Sequence, residues 1–163
     1  MKGKLIRKYF SINKKVYLTK EGLDDLKNRL DQLRKERFEI CDRLRKMDPK
    51  EKAEYILAND EIKMLELNEA EVNKISNIIQ NAVLVTKSSN PIDVRLGSTV
   101  SLRFGTEVIK YTLVSPIEAD PFANKISGES PLGKTLLGRK VHEKFHVKTP
   151  KGTEKGYEVL SIA

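Results

Sequence analysis

The amino-acid sequence predicts an α+β protein: an N-terminal antiparallel coiled-coil helical hairpin followed by a small β-rich domain. Three observations carry this reading. Residues 23–47 and 55–79 each space apolar side chains at alternating steps of three and four, the pattern of a helical seam. An Asp-Pro dipeptide stands between the two stretches. Beyond Asn81 the runs become short and strand-like.

The first ladder is Leu23, Leu26, Leu30, Leu33, Arg37, Ile40, Leu44 and Met47. Arg37 is its only charged step, read as a side chain that snorkels at the core edge. Thr19 is suited to cap the helix. The pattern stops at Asp48-Pro49-Lys50-Glu51. Proline disfavours a helical residue before it, so the first helix ends near Met47. Proline is also suited to the first position of a new helix. Asp48 can cap that helix, and Glu51, three residues on, can reach back to the Asp48 amide.

The second ladder is Tyr55, Ala58, Ile62, Leu65, Glu69, Val72, Ile75 and Ile79. The helices are thus about 28 and 32 residues, or roughly 40–50 Å at 1.5 Å per residue. Similar lengths joined by a tight turn predict an antiparallel pair. Ile56, Leu57, Met64, Leu67 and Ile78 are additional apolar residues on the second helix, and they predict a wider buried face at the base, against the second domain.

The β-rich part has four strand-like runs: Thr99–Phe104, Glu107–Val114, Lys140–Lys148 and Tyr157–Ile162. Gly105-Thr106 turns the first pair, and Thr149–Gly152 the second. Ser130-Pro131 opens a short helix that Gly138 closes. The organisation is a basic tail at 1–15, a hairpin domain at 16–86 and a β-rich domain at 92–163.

Composition narrows the function. Hydrophobic residues make up 39% of the 163, enough for a core. No apolar run approaches the roughly 18–20 residues of a spanning helix, and the N-terminus lacks the apolar stretch of a secretory signal. The expected location is cytoplasmic, with no membrane partner. Cys41 is the only cysteine, so no internal disulfide forms; it reads as a small, partly buried residue. The net charge of +8 draws the chain to nucleic acid or an acidic partner. Residues 1–15 hold six basic side chains and no acid. There is no tryptophan, and the five Phe and five Tyr are scattered, so the excess favours loose attraction over a reading head. His142 and His146 alternate on a predicted strand and share one face, without a third ligand for zinc.

Three stretches resemble the bacterial GreA/GreB transcript cleavage factors, over roughly residues 16–162. The first is Leu18-Thr19-Lys20-Glu21-Gly22-Leu23 with Leu26, similar to the helix-opening motif of the family. The second is Asp48-Pro49-Lys50-Glu51-Lys52-Ala53-Glu54-Tyr55, similar to the family's Asp-Leu-Lys-Glu-Asn-Ala-Glu-Tyr. The third and longest runs through Glu118-Ala119-Asp120-Pro121, Ile126-Ser127, Ser130–Lys134, Leu136–Gly138, Lys148–Pro150 and Tyr157–Val159.

The resemblance implies a fold and a task. Its C-terminal domain is FKBP-like and docks at the mouth of the secondary channel of RNA polymerase. Its hairpin reaches toward the polymerase active site and stimulates cleavage of the backtracked RNA. It also implies residues. Asp48 and Glu51 fall on the family's tip acids, which share the polymerase's catalytic Mg2+ only in the complex; no cofactor is bound stably by the chain alone. Around them Arg43, Arg45, Lys46, Lys50 and Lys52 are candidate contacts to the nascent RNA 3′ end or to polymerase, and the basic regions are candidate DNA contacts. A monomer that is not itself an enzyme is expected. The sequence departs from the family pattern at Met47, Pro49 and Lys52, which stand where Gly, Leu and Asn are usual. A channel-binding regulator that does not promote cleavage is the alternative. A prolyl isomerase would need clustered aromatics, and a parallel dimeric adaptor would need an unbroken helix.

Overall fold

The computed structural model describes residues 15–47, 52–86, 91–148, 152 and 154–163, and of 52–55 the backbone alone. Its elements in chain order are β1 (Val16–Leu18), α1 (Lys20–Lys46), α2 (Lys52–Gln80), β2 (Ala82–Leu84), β3 (Thr99–Phe104), β4 (Glu107–Val114), a 3-10 turn (Pro116–Glu118), β5 (Lys125–Ser127), α3 (Pro131–Leu136), β6 (Lys144–Lys148) and β7 (Glu154–Ile162). The architecture is α+β. No helix among the described residues is long and apolar enough to cross a membrane.

Contacts divide the chain into two compact units, Leu23–Asn81 and the remainder. The short strands β1 and β2, placed by the sequence reading in the hairpin domain, thus group with the sheet-bearing unit.

The first unit is the helical pair. Leu30, Leu33 and Ile75 form its buried centre, with Leu26, Val72 and Ile79 packed against them. Leu26 meeting the Val72–Ile79 end requires antiparallel helices. Arg29 to Glu71 (3.3 Å), Arg37 to Glu69 (2.7 Å) and Arg43 to Glu61 (2.6 Å) confirm the direction, because the partner number falls as the first rises. Two expectations are corrected. Ile62 is 44% exposed; its neighbour Glu61 instead makes the contact across the helices, to Arg43. Ile56, Leu57, Met64 and Leu67 are 55–68% exposed, so the wider buried face does not form there. They sit beside the seam rather than in it, and only Ile78 of the five is half-buried.

The second unit holds a five-stranded sheet of order β5-β4-β3-β7-β6, antiparallel except for the β4–β5 pair. The turn between β3 and β4 is Gly105-Thr106, with Gly105 at φ +59°, a region glycine enters without steric cost. Alternation along β3 buries Val100 and Leu102 and points Ser101 and Arg103 outward. Leu113, Val159, Leu136 and Leu137 complete the core. The short helix α3 is built as predicted: the Gly133 amide donates to Ser130 Oγ at 3.0 Å, and Gly138 follows at φ +75°. The strands β1 and β2 pair in parallel as a separate two-stranded sheet.

The predicted strand 140–148 starts later, at Lys144. His142 adopts φ +68°, and its amide donates to the Val159 carbonyl at 2.7 Å. It belongs to the turn before β6, so His142 and His146 do not share a strand face.

Candidate functional site

Three of the candidate residues are described with their side chains. Arg43, Arg45 and Lys46 occupy the last turn of α1, where cations complement the unpaired carbonyls and the negative end of the helix dipole. Their states differ. Arg43 donates through Nε and Nη2 to the two carboxylate oxygens of Glu61, at 2.6 and 2.9 Å. This bidentate geometry is the stronger form of the Arg–carboxylate contact. It holds the Glu61 carboxyl below its ordinary range and pushes Arg43 further up, the hydrogen bond being the main cause of each. Lys46 turns back one helical turn to Asp42 at 2.6 Å. Arg45 is exposed and pairs with no described residue. Arg43 therefore clamps the two helices together, while Arg45 is available to an external anion.

Asp48, Lys50 and Glu51 lie outside the described residues, and Pro49 with them. Lys52 opens the described part of α2, with its side chain outside the description. Helix α1 has 27 residues, or about 40 Å at 1.5 Å per residue. Among the described residues, no group of three or more His, Cys, Asp or Glu could hold a metal.

The sheet-bearing unit has a second constellation, which no local sequence pattern marks. In the quoted stretch Glu118–Pro121, Glu118 is a buried-side acceptor. Its Oε1 takes the Thr19 amide at 3.1 Å and the Thr19 hydroxyl, and its Oε2 takes the Ser115 hydroxyl at 2.9 Å. Thr19 Oγ1 in turn accepts from the Gly22 amide at 3.0 Å, the capping bond expected of it.

Next to it, Asp120 and Lys125 exchange two backbone hydrogen bonds of 2.9 Å. They close a tight turn that Asn124 completes at φ +54°. Asp120 Oδ1 accepts from the Phe122 amide at 2.9 Å. Phe122 is 100% exposed at the apex, with Ile117 also exposed nearby in sequence. The braced turn thus gives a whole aromatic ring to solvent. Elsewhere Phe104, Tyr157 and Phe145 stack in series, with centroids 5.2 and 5.7 Å apart.

The chain as a whole is similar to known proteins. Residues 90–163 match the family described as "Transcription elongation factor, GreA/GreB, C-term". The chain is 39% identical over 156 residues to the transcription elongation factor GreA of Thermotoga neapolitana, covering 91% of this chain and 97% of that one. It is 38% identical over 159 residues to GreA of Clostridioides difficile, covering 92% and 97%. Among solved structures, GreA factor homolog 1 of Thermus thermophilus is 28% identical, with 91% of this chain and 99% of that chain covered and a TM-score of 0.39.

Proposed function

This chain belongs to the GreA/GreB family of transcription elongation factors, and from that premise we propose that it enters the secondary channel of RNA polymerase and stimulates cleavage of backtracked nascent RNA. The observation that carries the reading is the helical pair itself. It is an arm about 40 Å long, bridged by Arg43 and Glu61, and Asp48 and Glu51 stand in the sequence between its two helices. Cleavage is the work of the polymerase. The chain contributes position and charge.

Phosphodiester hydrolysis is well served by two metal ions, and magnesium takes carboxylate oxygens readily. Asp48 and Glu51 supply such oxygens. Arg45 and Lys46, with Lys50 and Lys52 beyond them, supply positive charge for the phosphates of the RNA 3′ segment. The same two acids also fit a capping box; in the complex their carboxylates would be the groups to hold the polymerase's metal ion. Phe122, on its braced turn, is suited to anchor the sheet-bearing unit to polymerase.

A stalled, backtracked polymerase with end-labelled RNA tests this. The protein should accelerate shortening of the transcript, and Asp48→Asn or Glu51→Gln should remove that acceleration by roughly 100-fold or more while binding persists. Acceleration unchanged in both variants would end the proposal.

Met47, Pro49 and Lys52 favour a second reading. They surround the tip acids and depart from the family pattern, so the chain could occupy the channel without promoting cleavage. Tight binding with no acceleration by the unmodified protein selects this reading.

A further inference from the structure

Midway along the helical pair the seam turns polar. Asn68 is only 7% exposed, and its Nδ2 donates to the main-chain carbonyl of Leu33 at 3.0 Å. Its Oδ1 is buried and accepts no hydrogen bond from the described residues. One residue on, Glu69 pairs with Arg37 at 2.7 Å. Arg37 is the charged step in the α1 ladder, and it faces outward, with its side chain 49% exposed.

These facts belong together. A helical carbonyl opens toward the residue four positions on, so the Leu33 carbonyl opens toward the level of Arg37. There the ladder has an arginine swung out to Glu69, not a branched apolar chain packed inward. The carbonyl is left uncovered on the seam, and the Asn68 amide reaches it. One turn toward the base the ladder step is Leu33; one turn toward the tip it is Ile40, and both are buried. Asn68 therefore finds an open carbonyl at a single level of α1.

The other contacts do not discriminate so sharply. Apolar steps repeat every three or four residues and would re-form after a slide of one turn. The cross-helix ion pairs join long side chains and are 43–50% exposed on the arginine side. A buried amide in an otherwise apolar seam is a poor choice for stability alone. A single buried asparagine is, however, the best-attested device for fixing register in helical pairs.

We infer that Asn68, with Arg37 clearing its acceptor, is a register lock that sets the axial alignment of α1 and α2. Because the helices are joined, a slide of one turn passes residues between helix end and turn. The lock thereby decides which side chains form the tip. Asn68 and Arg37 are positioning residues, remote from any chemistry. Only the activity arm of the test rests on the cleavage reading above; the distance arm does not.

The test uses the full chain with Cys41→Ala and spin labels on Lys27→Cys and Lys63→Cys, two exposed sites well separated along the axis. Pulsed electron resonance should give one narrow distance in this background. Asn68→Leu should raise the melting temperature, yet broaden the distribution or add a component displaced by about 5 Å, one helical turn. Stimulated cleavage should fall despite the added stability, which no purely structural role predicts. Asn68→Ala, which adds no bulk, should broaden the distances in the same way. An unchanged narrow distance in both variants overturns the lock. Displaced distances with full cleavage overturn its link to the tip. If the background protein stimulates no cleavage, the function reading fails, and the distances still decide the lock.

Discussion

Thr19 and Glu118 are 99 residues apart in the chain, yet the Glu118 carboxylate accepts both the Thr19 amide and the Thr19 hydroxyl. The first turn of α1 is thus capped twice, once by Thr19 itself and once by an acid from the turn after β4. Helix starts leave four amides unsatisfied, and a carboxylate there also meets the positive end of the dipole. Glu118→Ala leaves these donors and the Ser115 hydroxyl without their acceptor. The expected cost is about 1–3 kcal/mol, read by denaturant unfolding, with faster hydrogen exchange at Thr19 and Gly22.

Gly22 reports on the same carboxylate. A Cβ at this position would lie 1.9 Å from Glu118 Oε1, so Gly22→Ala must expel the group that Glu118→Ala deletes. The two substitutions should therefore be strongly non-additive: the double variant should unfold little more easily than either single one. Additive losses would mean that Glu118 keeps its bonds when Gly22 acquires a side chain.

Arg43 and Glu61 make the far end of the arm sensitive to acid. The Glu61 carboxyl titrates below its ordinary 4.5, chiefly through its hydrogen bonds from Arg43. A group depressed on folding stabilises the fold above its unfolded pKa, and that contribution disappears as pH falls through the folded value. Arg43 is shifted upward from a value already far above neutrality, so it adds nothing to this window. Glu61→Gln should lower the melting temperature at pH 7, and the gap from the unmodified protein should close as pH drops below about 4.5. A gap constant from pH 7 to 3 would remove the ionic account.

The helical pair was legible because its signal is repetitive. Leu30, Leu33, Ile40 and Ile75 are buried where the ladders put them. Even the two charged steps, Arg37 and Glu69, meet each other. What period alone could not supply was the choice between adjacent residues. Glu61 bonds across the pair and Ile62 faces solvent, because Arg43 supplies a partner that only the folded pair brings near. Asn68, next to a ladder step, carried no sequence mark of its burial. His142 left its expected strand through a left-handed backbone angle that a lone histidine does not announce. Of the site, Arg43, Arg45 and Lys46 were legible as a helix-end cluster, whereas Asp48 and Glu51 were legible by themselves only as a capping pair and take a metal-holding role only through the family resemblance. The Thr19–Glu118 contact joins two quoted motifs, and no local pattern relates them.

Phe122 offers a clean separation of binding from folding. Its ring is wholly exposed, and its amide, not its side chain, braces the turn through Asp120. Phe122→Ser should leave the melting temperature unchanged within the roughly 0.5 kcal/mol usual for surface substitutions. It should weaken binding to polymerase by about 2 kcal/mol or more if the ring is an anchor, measured by titration of labelled protein into the enzyme. Asp120→Ala, by loosening the turn, should weaken binding less. Equal affinity for Phe122→Ser and the unmodified protein would assign docking to another surface.

The exposed apolar residues of α2 test where its buried face ends. Leu33 is almost fully buried between the helices, and Met64 is more than half exposed. If burial governs, Leu33→Ala should cost about 2–5 kcal/mol through lost transfer energy and the cavity left behind. Met64→Ser should cost no more than about 0.5 kcal/mol, because its side chain already faces water. Both are read as midpoint shifts in urea at constant slope, since a changed slope would signal altered compactness rather than altered stability. A large loss from Met64→Ser would mean that this side of α2 is covered in solution, and the seam would then be wider than Leu26, Leu30, Leu33 and their partners on α2.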